Sequence, residues 1–243
     1  MRYTRGPFQL FSLSIVLLHF LSAQGAVESS ISQDSRLNHA RELLGKSFKR
    51  TVVRKEDSAV SDVEVTDFVM EMTRNFLGKK HRHFARDVGR AILNASEEFS
   101  LDPVFLVAVI QNESSFHPSM KGSAGEIGLM QILPRTGEWI ASLYHLDYRG
   151  SKSLLDPVMN VWLGAALLDK LRHQFDSDGR YYVTAYNMGP KKLRKMIAMN
   201  RNPRLYVQAV MKRYLALYQG YQSKGDLKVV SKEAKSKVME ITN

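Results

Sequence analysis

Leu101-Asp102-Pro103-Val104-Phe105-Leu106-Val107-Ala108-Val109-Ile110-Gln111-Asn112-Glu113 is the stretch on which the reading of this chain turns. An aspartate followed by a proline marks a helix start: the carboxylate caps free N–H groups, and proline is pre-set to a helical φ while lacking an N–H that would have no partner. Leu106, Val109 and Ile110 then mark one helical stripe, and Glu113 extends it at the i+7 position. A carboxylate at the end of an apolar stripe is desolvated, which favours its neutral form and raises its pKa. That is what a general acid needs near neutral pH. The competing reading is an acid that bends out to water, and the stripe alone favours it, since helix ends commonly carry exposed acids.

Two segments further along reverse that balance. Gly125-Glu126-Ile127-Gly128-Leu129-Met130-Gln131 lies just downstream, and Ala185-Tyr186-Asn187-Met188-Gly189-Pro190 comes later. With Glu113-Ser114 they make an ordered trio: Glu-Ser, then Gly-Leu-Met-Gln, then Ala-Tyr-Asn. Each string alone is weak, but the three in this order inside one helical domain are strong. Over roughly residues 80 to 220 the chain resembles the lytic transglycosylases of the soluble (SLT) type. The resemblance implies an all-α fold with a lysozyme-like helical domain of the goose type. It also implies peptidoglycan glycan strands as the substrate, with no cofactor.

Cutting a glycosidic bond needs a proton for the leaving oxygen and stabilisation of an oxocarbenium-like centre. Hydrolases usually use two carboxylates, whereas the resemblance implies that one is enough here. Glu113 would act first as acid, then as base on the C6 hydroxyl of the muramic sugar, which closes a 1,6-anhydro ring without water. The substrate's own N-acetyl oxygen can assist at C1. Ser114, by its match to the motif, would position the carboxylate or the helix terminus, or else is an ordinary C-terminal cap. Gly128 lets backbone approach closely. Met130 offers a polarizable surface for a sugar face or for the core. Gln131 has an amide suited to an N-acetyl or hydroxyl group. Tyr186 is expected to aim its hydroxyl at Glu113 while its ring closes the cleft. Asn187 opens the Asn-Met-Gly-Pro turn and orders it through its side chain.

Two departures from the common pattern stand out. Gly122 occupies the place where many relatives carry a small hydroxyl residue, with Ser123 one step later and still able to reach substrate. Glu126 stands where many relatives have alanine. It could face solvent, pair with a lysine, or enter the cleft as a second carboxylate and turn the chemistry towards hydrolysis.

Composition narrows the alternatives. A chain of 243 residues fits one domain with extensions, and 44% hydrophobic content supports a proper core. With no cysteine, disulfides, thiolate metal sites and cysteine nucleophiles are excluded. The histidines lack the close helical pairing of a zinc motif, so no metal is expected. The formal charge of +11 admits nucleic acid, anionic lipid or an acidic polymer as partner. No nucleic-acid signature is present, and wall polymers carry the carboxylates or phosphates that would attract a basic enzyme. Simple colloidal solubility explains the charge equally well. Asn94-Ala95-Ser96 and Asn112-Glu113-Ser114 match the glycosylation sequon fortuitously, since a glycan on Asn112 would obstruct the proposed acid.

Four segments are expected. Residues 1–25 read as a secretory signal peptide: Arg2 and Arg5 precede the apolar run Phe8–Leu21, and Ala23-Gln24-Gly25 offers small residues for cleavage. The run is too short for a comfortable membrane span, so the mature chain should carry no integral span and be exported, to the periplasm or outside the cell. Residues 26–78 form a partly helical N-terminal extension, loose before residue 60, with one short helix around Leu37–Phe48 and another over Val63–Leu77. Residues 79–221 form the catalytic domain, almost wholly helical in period, with glycines that permit a short β-hairpin near Ser123–Ile132. Residues 222–243 are a basic tail. Three functions compete: a lytic transglycosylase, a muramidase of the same fold, and a non-catalytic wall-binding or assembly protein. The intact motifs argue against the last.

Overall fold

The computed structural model describes residues 33–44, 62–201 and 205–220. In chain order the helices are α1 (Gln33–Leu44), α2 (Asp62–Phe76), α3 (Ala85–Glu98), α4 (Pro103–Glu113), α5 (Pro134–Tyr144), α6 (Pro157–Gln174), α7 (Gly179–Met188), α8 (Pro190–Ala198) and α9 over residues 205–220. A short turn at Gly78–His81 and 3-10 turns at Arg82–Phe84 and Ser151–Leu155 complete the regular structure. Among the described residues there are no β-strands. The permitted hairpin is reduced to isolated antiparallel bridges, Lys121 with Ile127 and Ile127 with Ile132. The all-α expectation holds.

Helix α4 sits at the centre. Asp102 caps it by accepting the N–H of Val104 at 2.8 Å, and Pro103 takes the first turn. Every residue from Pro103 to Ile110 is buried. The expected stripe is therefore a helix buried on all faces, which is where a helix without polar residues over its first two turns must lie. α2 and α3 pack against it, and α3 packs in turn on α6. Asp156-Pro157 repeats the Asp-Pro start at α6, its carboxylate accepting from Val158 and Met159.

The short helix expected at Leu37–Phe48 lies at Gln33–Leu44 instead, and this part of the extension is docked rather than loose. His39 is fully buried, with its ring edge-on to Phe105 of α4. Its Nδ1 accepts the Asp102 N–H at 2.9 Å. The proton of a neutral imidazole must then sit on Nε2, which faces the Tyr182 hydroxyl at 2.9 Å. Burial and the charge of Arg172 push the His39 pKa well down, in keeping with that neutral tautomer. Glu42 meets the Arg172 guanidinium of α6 with both oxygens, a bidentate and partly buried pair. The signal segment and the basic tail lie outside the described residues.

Candidate active site

Glu113 is the last residue of α4, half-buried, at the place where the chain leaves the core. The helix ends abruptly. Ser115 and Phe116, neither a glycine, take left-handed φ of 50° and 62°. Such a turn costs about 1–3 kcal/mol per residue and persists only where its surroundings enforce it. Here Phe116 is buried, its ring 5.2 Å from that of Phe76 on α2.

Ser114 supplies the next constraint. Its hydroxyl donates to Leu129 O at 2.7 Å and sits 3.3 Å from Ile110 O, and the residue is buried. Its hydroxyl is thus spent on carbonyls inside the fold. What it does is tie the end of α4 to the glycine-rich loop. Asn160 on α6 holds the same loop from beneath: Nδ2 donates to Ile127 O and Leu154 O, and Oδ1 accepts the Met130 N–H at 2.7 Å. A Cβ on Gly128 would lie 2.3 Å from that amide, and its φ of +87° also calls for glycine. The close backbone approach read from Gly128 is thus real, and its partner is Asn160.

Met130 is fully buried, with its sulfur lying where a Cβ on Gly164 of α6 would be. Of the two readings open to it, the core is the one observed, and Met130 cannot offer a surface to a sugar. Gln131 is half-buried: its Nε2 donates to Gly128 O at 2.9 Å and Met120 O at 3.2 Å. Those two carbonyls fix the amide with Oε1 turned the other way. Ser123 is exposed at the tip of the loop. Asn187 is exposed in the last turn of α7, and Gly189, at φ +83°, makes the turn that Asn187 was expected to open.

The tyrosine assignment changes as well. The Tyr186 hydroxyl donates to Met130 O at 2.8 Å, fastening α7 to the loop instead of reaching the carboxylate. The phenol that donates to Glu113 Oε1 belongs to Tyr206 on α9. Tyr206 was missed because no motif contains it. A signal was present: Val207, Val210 and Tyr214 continue an apolar stripe of which Tyr206 is the polar-tipped end, as Glu113 is of its own.

Electrostatics follow from this packing. Burial raises the Glu113 pKa, hydrogen bonds from Tyr206 and Asn112 oppose the rise, and the negative charge of Glu126 adds to it. Burial together with Glu113's charge pushes both Tyr186 and Tyr206 well up, so each phenol remains a proton donor. Glu126 itself is held by the Ala124 N–H at 3.0 Å. Among the described residues no three His, Cys, Asp or Glu side chains converge as metal ligands, and no helix is long and apolar enough to cross a membrane. A separate concavity lined by Arg135, Glu138, His145 and Tyr148 includes none of the residues around Glu113.

Comparison with known proteins gives a consistent result. Residues 90–207 match the family described as Transglycosylase SLT domain. The soluble lytic murein transglycosylase of Salmonella typhimurium is 34% identical over 91 residues, covering 37% of this chain and 14% of that protein. The membrane-bound lytic murein transglycosylase C of Histophilus somni is 30% identical over 160 residues, covering 60% of this chain and 44% of that one. The chain thus spans less than half the length of either. An inactive mutant of the lytic transglycosylase Slt of Pseudomonas aeruginosa superposes with a TM-score of 0.51 at 17% identity, covering 76% of this chain and 37% of that one. At that identity the likeness speaks for the fold alone, and the expected lysozyme-like architecture is the one found.

Proposed function

Because residues 90–207 of this chain form a transglycosylase SLT domain, we propose that it is a peptidoglycan lytic transglycosylase in which Glu113 alone performs the acid and base steps. The observation that carries this reading is the state of Glu113: half-buried at a helix end, pKa raised by that burial, and held by a phenol that keeps its own proton. A carboxyl kept protonated above its ordinary range can donate near neutral pH.

In the first step Glu113 gives its proton to the glycosidic oxygen as the C1–O bond breaks, leaving an oxocarbenium-like muramic sugar assisted by its N-acetyl oxygen. The carboxylate then takes the proton of the C6 hydroxyl while that oxygen bonds to C1. Glu113 ends as it began, no water is consumed, and the product carries a 1,6-anhydro end. Tyr206 fixes the Oε1 oxygen of that carboxylate throughout. Ser114, Asn160 and Tyr186 act on the loop and not on the sugar, with Gln131 and Ser123 left to meet it.

One observation favours a second reading. Glu126 is near enough for its charge to be felt at Glu113, so a muramidase that uses it to activate water is the alternative. Mass spectrometry of digested wall material separates the readings. Anhydro ends establish the transglycosylase, reducing ends the muramidase, and unchanged glycan a protein that only binds. We also propose that residues 1–25 direct export and are removed, so that the mature protein acts in the periplasm or outside the cell. An N-terminal sequence beginning near Ala26 is the expected result, and retention of residues 1–25 on a membrane-bound protein would count against it.

A further inference from the structure

Helix α1 lies outside residues 90–207, the stretch that matches the family, yet one of its side chains is sealed inside the domain. The two ring nitrogens of His39 reach two different elements: Nδ1 accepts the N–H of Asp102 at the start of α4, and Nε2 donates to the Tyr182 hydroxyl of α7. The His39 and Tyr182 rings also stack, 6.2 Å between centres. Gly179, the first residue of α7, lets the α1 backbone come close: a Cβ there would lie 3.1 Å from Glu42 O and 3.2 Å from Leu43 Cα. Glu42 is gripped by Arg172 of α6, whose guanidinium also donates to Ser100 O just before α4. One short helix thus ties together α4, α6 and α7.

From α7 the connection runs on towards Glu113. Tyr182 and Tyr186 lie one turn apart on α7. Tyr186 donates to Met130 O, and the neighbouring Leu129 O receives the hydroxyl of Ser114, the residue after Glu113. The seat of α7 therefore sets where the loop is fastened behind the acid. A displacement of about 1 Å in such a support can cost on the order of 100-fold in rate.

We propose that α1 is part of the cleaving unit, with His39 as a positioning residue that seats α7 and hence the loop behind Glu113, and that α1 is released in acid. This rests on the glycan-cleaving reading above. The acid sensitivity follows from the bonding pattern: a second proton on the ring must go to Nδ1, which then points a donor at the Asp102 N–H and loses that bond. The surrounding groups do not offset the new charge. Arg36 of α1 and Arg172 of α6 are cations, the Glu42 carboxylate is spent on Arg172, and the Tyr182 phenol of α7 is kept protonated by burial. The Asp102 carboxyl takes the Val104 N–H and the Tyr214 hydroxyl of α9. Burial and Arg172 hold the docked His39 pKa well below its ordinary value, which the released ring regains. Below about pH 6.5 the released form therefore takes a proton that the docked form refuses, and the ratio of released to docked α1 rises up to about tenfold for each pH unit.

Hydrogen exchange of the full chain, read by mass spectrometry and corrected for the intrinsic rate at each pH, compares the amides of α1 and α6 between about pH 7.5 and 5.5. The opening of α1 should increase by up to about tenfold per unit of acidification while α6 stays protected. Over the same range kcat for glycan release from purified wall should fall in step with that opening, and KM should hold. His39→Asn offers an amide oxygen to the Asp102 N–H and cannot ionise, so its α1 should no longer open with acid and kcat should lose that part of its acid fall. His39→Ala should lower kcat per folded molecule by roughly 10- to 100-fold near neutral pH, with KM kept. Gly179→Ala crowds the α1 backbone without touching His39, and should open α1 and lower kcat in the same proportion. The wild-type pH series decides alone where His39→Ala does not fold. If α1 and α6 open together, or if folded His39→Asn keeps the acid response, the acid release is overturned. If α1 opens, by acid or by substitution, and kcat holds, the positioning role is overturned and the proposed function stands. Wild-type protein that leaves wall glycan intact near neutral pH, with α1 docked, overturns the proposed function instead.

Discussion

At the N-terminus of α4, Asp102 receives the hydroxyl of Tyr214; at the C-terminus, Glu113 receives that of Tyr206, and both tyrosines belong to α9. Eleven residues of helix, about 16 Å, separate the two pairs. The chemistry is the same and the surroundings are not. Asp102 is 2% exposed and accepts Val104's N–H as well as the phenol, at the helix end whose dipole favours an anion. Its own N–H goes to His39, so every polar group there has a partner. Glu113 lies at the end whose dipole disfavours an anion, half-exposed, with one oxygen on Tyr206 and with Glu126 nearby. Burial pushes both carboxyls up. What separates an anchor from a candidate acid is exposure: Asp102 is sealed in the core, and Glu113 is only half-buried.

The largest effect should come from the open end. Glu113→Gln keeps the shape and the acceptor for Tyr206 but cannot deliver a proton, so glycan cleavage should fall by about 100- to 10,000-fold with the fold intact. Release of soluble fragments from purified wall, measured per folded molecule, checks this. Activity within a few-fold of wild type would remove Glu113 from the mechanism.

The closed end should respond in stability instead. Asp102→Ala removes an N-cap and leaves the Tyr214 hydroxyl buried without its acceptor, a loss of roughly 2–5 kcal/mol. Urea unfolding measures the loss, and the turnover of the molecules that remain folded should hold. A stable protein with lost turnover would show that the N-terminal pair takes part in catalysis and that the two ends are not opposites.

The tyrosines sharpen the contrast. Tyr206→Phe should lower turnover about tenfold, the worth of one hydrogen bond to a charged group, with little change in melting. It should also move the alkaline limb of the pH–rate profile upward, because the lost bond is one that lowers the Glu113 pKa. Tyr214→Phe should cost about 1–3 kcal/mol of stability, with turnover kept. If the two phenylalanine variants behave alike, α9 acts as one packing element and Tyr206 has no separate role.

This division was only half legible in the sequence. Asp102-Pro103 and Asp156-Pro157 announce their helices because capping is local, read within a turn of the chain. The motifs brought Glu113, Gln131 and Ser123 to one region. They did not reveal which side chains serve the loop from behind, because Ser114, Met130 and Tyr186 spend their polar or bulky ends on partners 15, 34 and 56 residues away. Tyr206 and His39 were invisible for the same reason: each meets its partner across 93 or 63 residues, and no short string contains both members. Burial of α4 on all faces is legible in its lack of polar residues from Pro103 to Ile110, a signal that outranks any single stripe.

The smallest effect is the one that tests the state of Glu113 directly. Its pKa in the fold lies above that in the unfolded chain, so between the two values the folded protein keeps a proton that the unfolded chain has released. Stability must therefore be lost as pH rises through that window, at about 1.4 kcal/mol for each unit of elevation. Glutamine cannot ionise and escapes the loss. Below the carboxylate range, at about pH 3, wild type and Glu113→Gln should unfold at the same urea concentration; near pH 7 the glutamine variant should be the more stable. Asp102 and His39 titrate identically in both proteins, so their contributions cancel in the difference. A variant no more stable than wild type at neutral pH would mean that the fold does not penalise the Glu113 anion. The two ends of α4 would then differ in exposure alone, and the reason for placing the acid at the C-terminal end would be gone.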